Sequence, residues 1–173
     1  AVAAALVTMR GGTPTEREPL RADRAGAERA RLALETRVAQ FGDEASAKAH
    51  PAAATFPGAV SPSSPRVERE AEIDPGVPGW QSTGLYAAPG EKITVTVPRR
   101  VAGTGFSVRI GCHTDALYKL DAWMRAPEIS RSIRLAGPVT VAANAFGGLV
   151  YIEVPAKAGP GGPFIATIDG AVR

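Results

Sequence analysis

The chain has 173 residues and 45% hydrophobic side chains, enough for one domain with a real core and too many for wholesale disorder. Its 19 glycines and 15 prolines point to a turn-rich β protein. A net charge of +3 falls short of the dense basic surface of a nucleic-acid binder, and no apolar run approaches the roughly 18 residues of a membrane span.

The opening Ala1-Val2-Ala3-Ala4-Ala5-Leu6-Val7 is apolar and follows no basic segment; it reads as a trimmed signal core or a tail. A helix is predicted within residues 16–48. Leu20, Ala27, Ala30, Leu34, Val38 and Phe41 recur at α-helical spacing, with good helix formers between them. Gly42 is its expected stop, and Asp43 a cap for a short second helix ending before His50-Pro51. The stripe is narrow and partly alanine, so the helix is expected to lean on something larger rather than form a coiled-coil dimer. Proline-rich residues 51–66 read as an extended linker, since proline blocks both helix and central strand.

From Trp80 onward the grammar is β. Pro89-Gly90 suits the centre of a type II turn. Ile93, Val95 and Val97 alternate with Thr94 and Thr96, and Phe106, Val108 and Ile110 alternate in the same way. Ile129, Ile133 and Leu135 mark a less regular strand, followed by 139–141, 149–154 and 164–168. The fold class is therefore mainly β, an antiparallel sandwich or jelly roll with a helical arm and a proline-rich linker. The expected boundaries are 1–50 for the arm, 51–72 for the linker and 73–173 for the sandwich.

One cysteine excludes an intrachain disulfide. No H-E-x-x-H occurs, and His50 and His113 lie far apart in sequence. Cys112, His113 and Asp115 tempt as metal ligands, but on a strand 112 points away from 113 and 115. Cys112 is read as a small buried hydrophobe and His113 as a hydrogen-bonded structural residue, with no metal ligand assigned. Arg99, Arg100, Arg109, Lys119, Arg125, Arg131 and Arg134 crowd one stretch. That suits an anionic glycan, but scattered solvated charges with one or two ion pairs is the preferred reading. Among Trp80, Tyr86, Tyr118 and Trp123 core packing is the common fate. Trp123 and Tyr118, in an irregular segment, are the expected exposed pair.

Three blocks carry a family resemblance. Trp80-Gln81-Ser82-Thr83-Gly84-Leu85-Tyr86-Ala87-Ala88-Pro89-Gly90-Glu91 resembles the W-x-S-T-G-L-Y-A-x-P-G-E opening of enhancin-like (M60-like) zinc metallopeptidases. Ile110-Gly111-Cys112-His113-Thr114-Asp115 with Leu117-Tyr118 resembles the next block. Arg125-Ala126-Pro127, Arg131 and Asn144 to Ile152 resemble the third.

The resemblance implies the N-terminal β part of a secreted, periplasmic or surface peptidase that attacks mucin-like glycoproteins. In that family a helical catalytic half carries H-E-x-x-H and a later glutamate. The resemblance therefore puts zinc and the general base outside residues 1–173 and makes this chain inert alone, a scaffold that positions substrate. Its implied partners are a glycoprotein or glycan and the catalytic half, with no nucleic acid and no membrane span. Tyr118, Trp123, Arg125 and Asn144 are the candidate substrate or glycan contacts. The alternative is a stand-alone glycan-binding or adhesion module; a third reading engages a protein partner through the helix. An enzyme fragment should also show an apolar patch where its other half docks.

Overall fold

A computed structural model describes residues 12–157 and 161–173. The apolar opening 1–7 lies outside the described residues.

Two four-stranded antiparallel sheets face each other. One has the order β2-β10-β4-β8, built from β2 (Val67–Ile73), β4 (Lys92–Thr96), β8 (Val139–Ala143) and β10 (Phe164–Ala171). The other is β3-β9-β5-β7, from β3 (Gly79–Ala87), β5 (Ser107–Ile110), β7 (Arg131–Arg134) and β9 (Gly148–Val154). The alternation seen in the sequence is what closes them. Ile93 and Val95 turn inward from β4, Val108 and Ile110 from β5, Val150 and Ile152 from β9, and all are fully buried in one cluster. Each such side chain contributes about 1.5–3 kcal/mol when removed from water.

The turn at 89–90 forms as expected, with the Glu91 N–H donating to the Ala88 carbonyl and Gly90 at φ +73°. Glycine is needed there for a second reason: a Cβ on Gly90 would lie 2.1 Å from the backbone nitrogen of Ala49.

The sandwich begins earlier than the expected boundary at 73. Val67–Ile73 pairs with β10 throughout its length, so this charged segment is a strand and not a linker. The preceding segment is not extended either. Pro51–Ala54 forms a 3-10 turn whose Ala52 and Ala53 are buried, because two small side chains fit beneath the helix.

The helix, α1, spans Gly26–Phe41 and stops before Gly42. A short 3-10 turn at Glu44–Ser46 stands where the second helix was expected. The helix does lean on something larger, but with the opposite face from the one predicted. It buries Arg29, Leu32 and Thr36, while Leu34, Val38 and Phe41 remain 39%, 63% and 77% exposed. Leu32 enters a second apolar cluster with Leu117, Trp123, Ile129 and Phe146. That cluster lies between α1 and the long β5–β7 connection, outside the sandwich core. A two-stranded ribbon joins the layers: β1 (Leu20–Arg21) pairs with β6 (Ala122–Trp123). Among the described residues no helix is long and apolar enough to cross a membrane.

Candidate functional site

The β5–β7 connection, residues 111–130, is the longest irregular segment of the sandwich and carries most of the sequence candidates. Gly111 starts it at φ +100°, where a Cβ would lie 2.6 Å from the Ser130 hydroxyl. That same hydroxyl accepts from the His113 N–H at 2.9 Å, so both ends of the loop are tied together.

Beneath the loop, Asn144 joins three chain segments. Its Nδ2 donates to the carbonyls of Ile129 at 2.8 Å and Ile110 at 3.1 Å, and its Oδ1 accepts from the Phe146 N–H at 3.1 Å. Its own carbonyl accepts from the N–H groups of Gly90 and Gly147. Asn144 is 1% exposed, so its amide is spent inside the protein and reaches no ligand. Asn144 also opens the tight turn into β9, with the Gly147 N–H on the Asn144 carbonyl.

From above, Arg29 of α1 clamps the loop. Its Nη2 donates to the carbonyls of Leu120 at 2.9 Å and Tyr118 at 3.2 Å, and its guanidinium lies 4.3 Å from the Trp123 ring centroid. Trp123, expected to be exposed, is 3% exposed because the helix covers it. Tyr118 stays on the surface; its ring meets Trp123 edge-on and its hydroxyl donates to Glu128 at 2.5 Å. Burial, then the bond to Glu128, pushes the Tyr118 phenol up to about 12.

Arg125 faces away from that helix side, into a groove of 490 Å³ lined by Phe56, Leu117, Leu120 and Met124. Its guanidinium pairs with Asp115 and lies over the Phe56 ring. The four sequence candidates thus do not form one site. Arg125 lines the groove, Tyr118 lies on the loop without lining it, and Trp123 and Asn144 hold the loop from within. Sequence reasoning missed Arg29, whose role has no hydrophobic signature.

Among the described residues three of the seven crowded cations are ion-paired, where one or two were expected: Arg109 pairs with Glu153, Arg125 with Asp115 and Arg131 with Glu44. Cys112 is exposed rather than buried, since it follows Gly111 out of the sheet. His113 meets Phe56 edge-on. His50 stacks on Phe146, its Nδ1 accepts from the Ala52 N–H at 3.1 Å, and its Nε2 lies 3.3 Å from Glu35. These residues do not fit a zinc centre: among the described residues no three His, Cys, Asp or Glu side chains converge.

Burial lowers both imidazoles below the ordinary value of 6.5, for His50 despite the Glu35 carboxylate and for His113 with help from Arg125. As pH falls below 6.5 the unfolded chain takes up these protons before the folded one. Stability present above that value is therefore lost on acidification. The melting temperature is expected to fall in this window. His50→Asn, which keeps an acceptor for the Ala52 N–H, should flatten the curve in a thermal-melt series across pH.

With this architecture described, the class is a β-sandwich domain carrying a helix-clamped loop. The sequence model of the N-terminal domain of M60-like peptidases matches residues 62–169, and the chain belongs to that family. It is 35% identical over 150 residues to the TRPM8 channel-associated factor 2 of Mus musculus, covering 84% of this chain and 16% of that protein. It is 39% identical over 93 residues to the Homo sapiens factor of the same name, covering 54% of this chain and 10% of that protein. Its fold matches the IMPa metallopeptidase from Pseudomonas aeruginosa with a TM-score of 0.63 and 22% identity, covering 98% of this chain and 19% of that one. IMPa is also solved in complexes with T-antigen and with an O-glycopeptide, which this chain matches at a TM-score of 0.49 in each case. The chain therefore spans between a tenth and a fifth of these relatives' length.

Proposed function

We propose that this chain is the substrate-positioning N-terminal portion of a secreted zinc metallopeptidase acting on mucin-like glycoproteins, and that it cleaves nothing by itself. The family match over the sandwich carries the reading. The ligands of IMPa, a T-antigen and an O-glycopeptide, support the substrate class. In this reading zinc and its general base belong to a catalytic half, since a peptidase needs three protein ligands, an open fourth position and a base to activate water.

The groove beside Arg125 is the surface on which glycosylated substrate rests, with Tyr118 at its flank. Leu34, Val38 and Phe41, which repeat every three or four residues along α1 and stay exposed, are the apolar patch against which the catalytic half docks. Incubating the purified chain with added zinc and an O-glycosylated protein is expected to leave the glycoprotein intact by electrophoresis. Cleavage that survives repurification and stops on adding a chelator would overturn the reading.

A further inference from the structure

The outward face of the β3-β9-β5-β7 sheet holds a second cluster, separate from the groove. Register places Trp80, Glu153, Ser107 and Arg134 in one row, and Ser82, Tyr151, Arg109 and Ser132 in the next. Trp80 is 45% exposed. The Arg109 guanidinium lies 4.1 Å from its ring centroid, and Tyr151 flanks it at 5.9 Å. Arg109 is itself fixed: Nε donates to the Gly111 carbonyl at 2.9 Å and Nη1 to Glu153 at 3.2 Å. The Ser132 hydroxyl donates to the other oxygen of Glu153. An exposed indole is thus held in place from below, with an ordered carboxylate and guanidinium beside it.

We propose that this face binds a neutral sugar ring, stacked on the open side of Trp80 with a hydroxyl on Glu153 at the edge of the indole. Three observations select that ligand. The indole offers a flat apolar surface of the size of one pyranose ring, and the hydrogen bonds that order its neighbours remove most of the cost of arranging them. Glu153, cross-strand from Trp80, keeps acceptor capacity for a hydroxyl at the edge of the indole, while Arg109, covered by the ring, orders the platform without touching the sugar.

The cation stacked on the indole is itself paired with Glu153, and Arg134, the fourth member of the row, lies three strands from Trp80, so the ring meets no unpaired charge there, which favours a neutral ring over a sulfated or sialylated one. A protein partner would set its aromatic anchor in a dry apolar patch, whereas apart from Tyr151 the same-face neighbours of Trp80 are serines and charges. The assignment rests on this face alone and holds whether or not the peptidase reading does.

The test is a nitrogen–proton NMR titration of the chain, which has two indole N–H resonances, assigned with Trp80→Phe. The probes are a galactosyl-N-acetylgalactosamine disaccharide, its sialylated form and cellobiose. At least one neutral sugar should shift the Trp80 indole saturably and leave that of buried Trp123 unmoved. Trp80→Ala should weaken binding by about tenfold or more, the loss expected of a truncated anchor, and Glu153→Gln by a smaller factor. Arg125→Ala, in the groove, should change nothing at Trp80, which separates this platform from the proposed substrate groove. Thermal melts of each variant establish that it folds. The proposal is overturned if no neutral sugar moves Trp80, if a folded Trp80→Ala chain binds as well as the parent, or if sialylation tightens binding.

Discussion

Replacing Asn144 with alanine is expected to lower the melting temperature by roughly 6–12 °C, the equivalent of about 3 kcal/mol. The substitution removes little volume; its cost lies in the groups left behind. The carbonyls of Ile110 and Ile129 lose their donor, and the Phe146 N–H loses its acceptor. All three lie where water does not replace the amide, so each carries a desolvation penalty rather than the smaller net value of an exchanged hydrogen bond. The damage should also spread, because Asn144 links the ends of β5 and β7 to the turn entering β9. Asn144→Asp is the informative partner. It retains the acceptor for Phe146 but points oxygen at two carbonyls, so it should rescue little near neutral pH. A melt within a degree of the parent for Asn144→Ala would mean the buried network contributes nothing.

Arg29→Met should cost about 2 kcal/mol in denaturant unfolding, with a local signature as well as a global one. Methionine keeps an apolar stem over Trp123 but returns the carbonyls of Tyr118 and Leu120 without a partner. Amide exchange should quicken over residues 117–123 more than in the sandwich strands, because the helix clamp and not the sheets is what fails. Arg29→Lys is expected to behave almost as badly, since one ammonium cannot reproduce the planar fork that spans two carbonyls while stacking on an indole. Unchanged exchange across the loop would show that the ribbon between β1 and β6 suffices to hold it.

Why Arg29 escaped a reading of the sequence is instructive. A helical stripe found by hydrophobicity selects Leu34, Val38 and Phe41, and those residues face solvent. The packed face instead presents Arg29, Leu32 and Thr36, because what it covers is an irregular loop with carbonyls that need donors. Polarity here marks the buried side. Trp123 was misplaced for the same reason: irregular segments are usually at the surface, but this one lies under a helix that only tertiary packing brings there. The sandwich was far more legible. In β4, β5 and β9 one face is buried and the other solvated, so period-two alternation is written directly into the residues. Tyr118 kept its predicted exposure on the loop, whereas the Trp80 platform joins residues from strands distant in sequence and has no linear motif.

One strand that escaped notice, β2, lies at the edge of its sheet. Glu68, Glu70 and Glu72 alternate along its exposed side, and only Ala71 and Ile73 commit fully to the core. A second copy of the chain approaching that open edge would have to align its own row of carboxylates against this one. The feature that disguises β2 as a linker thus guards the sheet against intermolecular strand addition. It lets the domain present an unpaired backbone edge without recruiting its own kind.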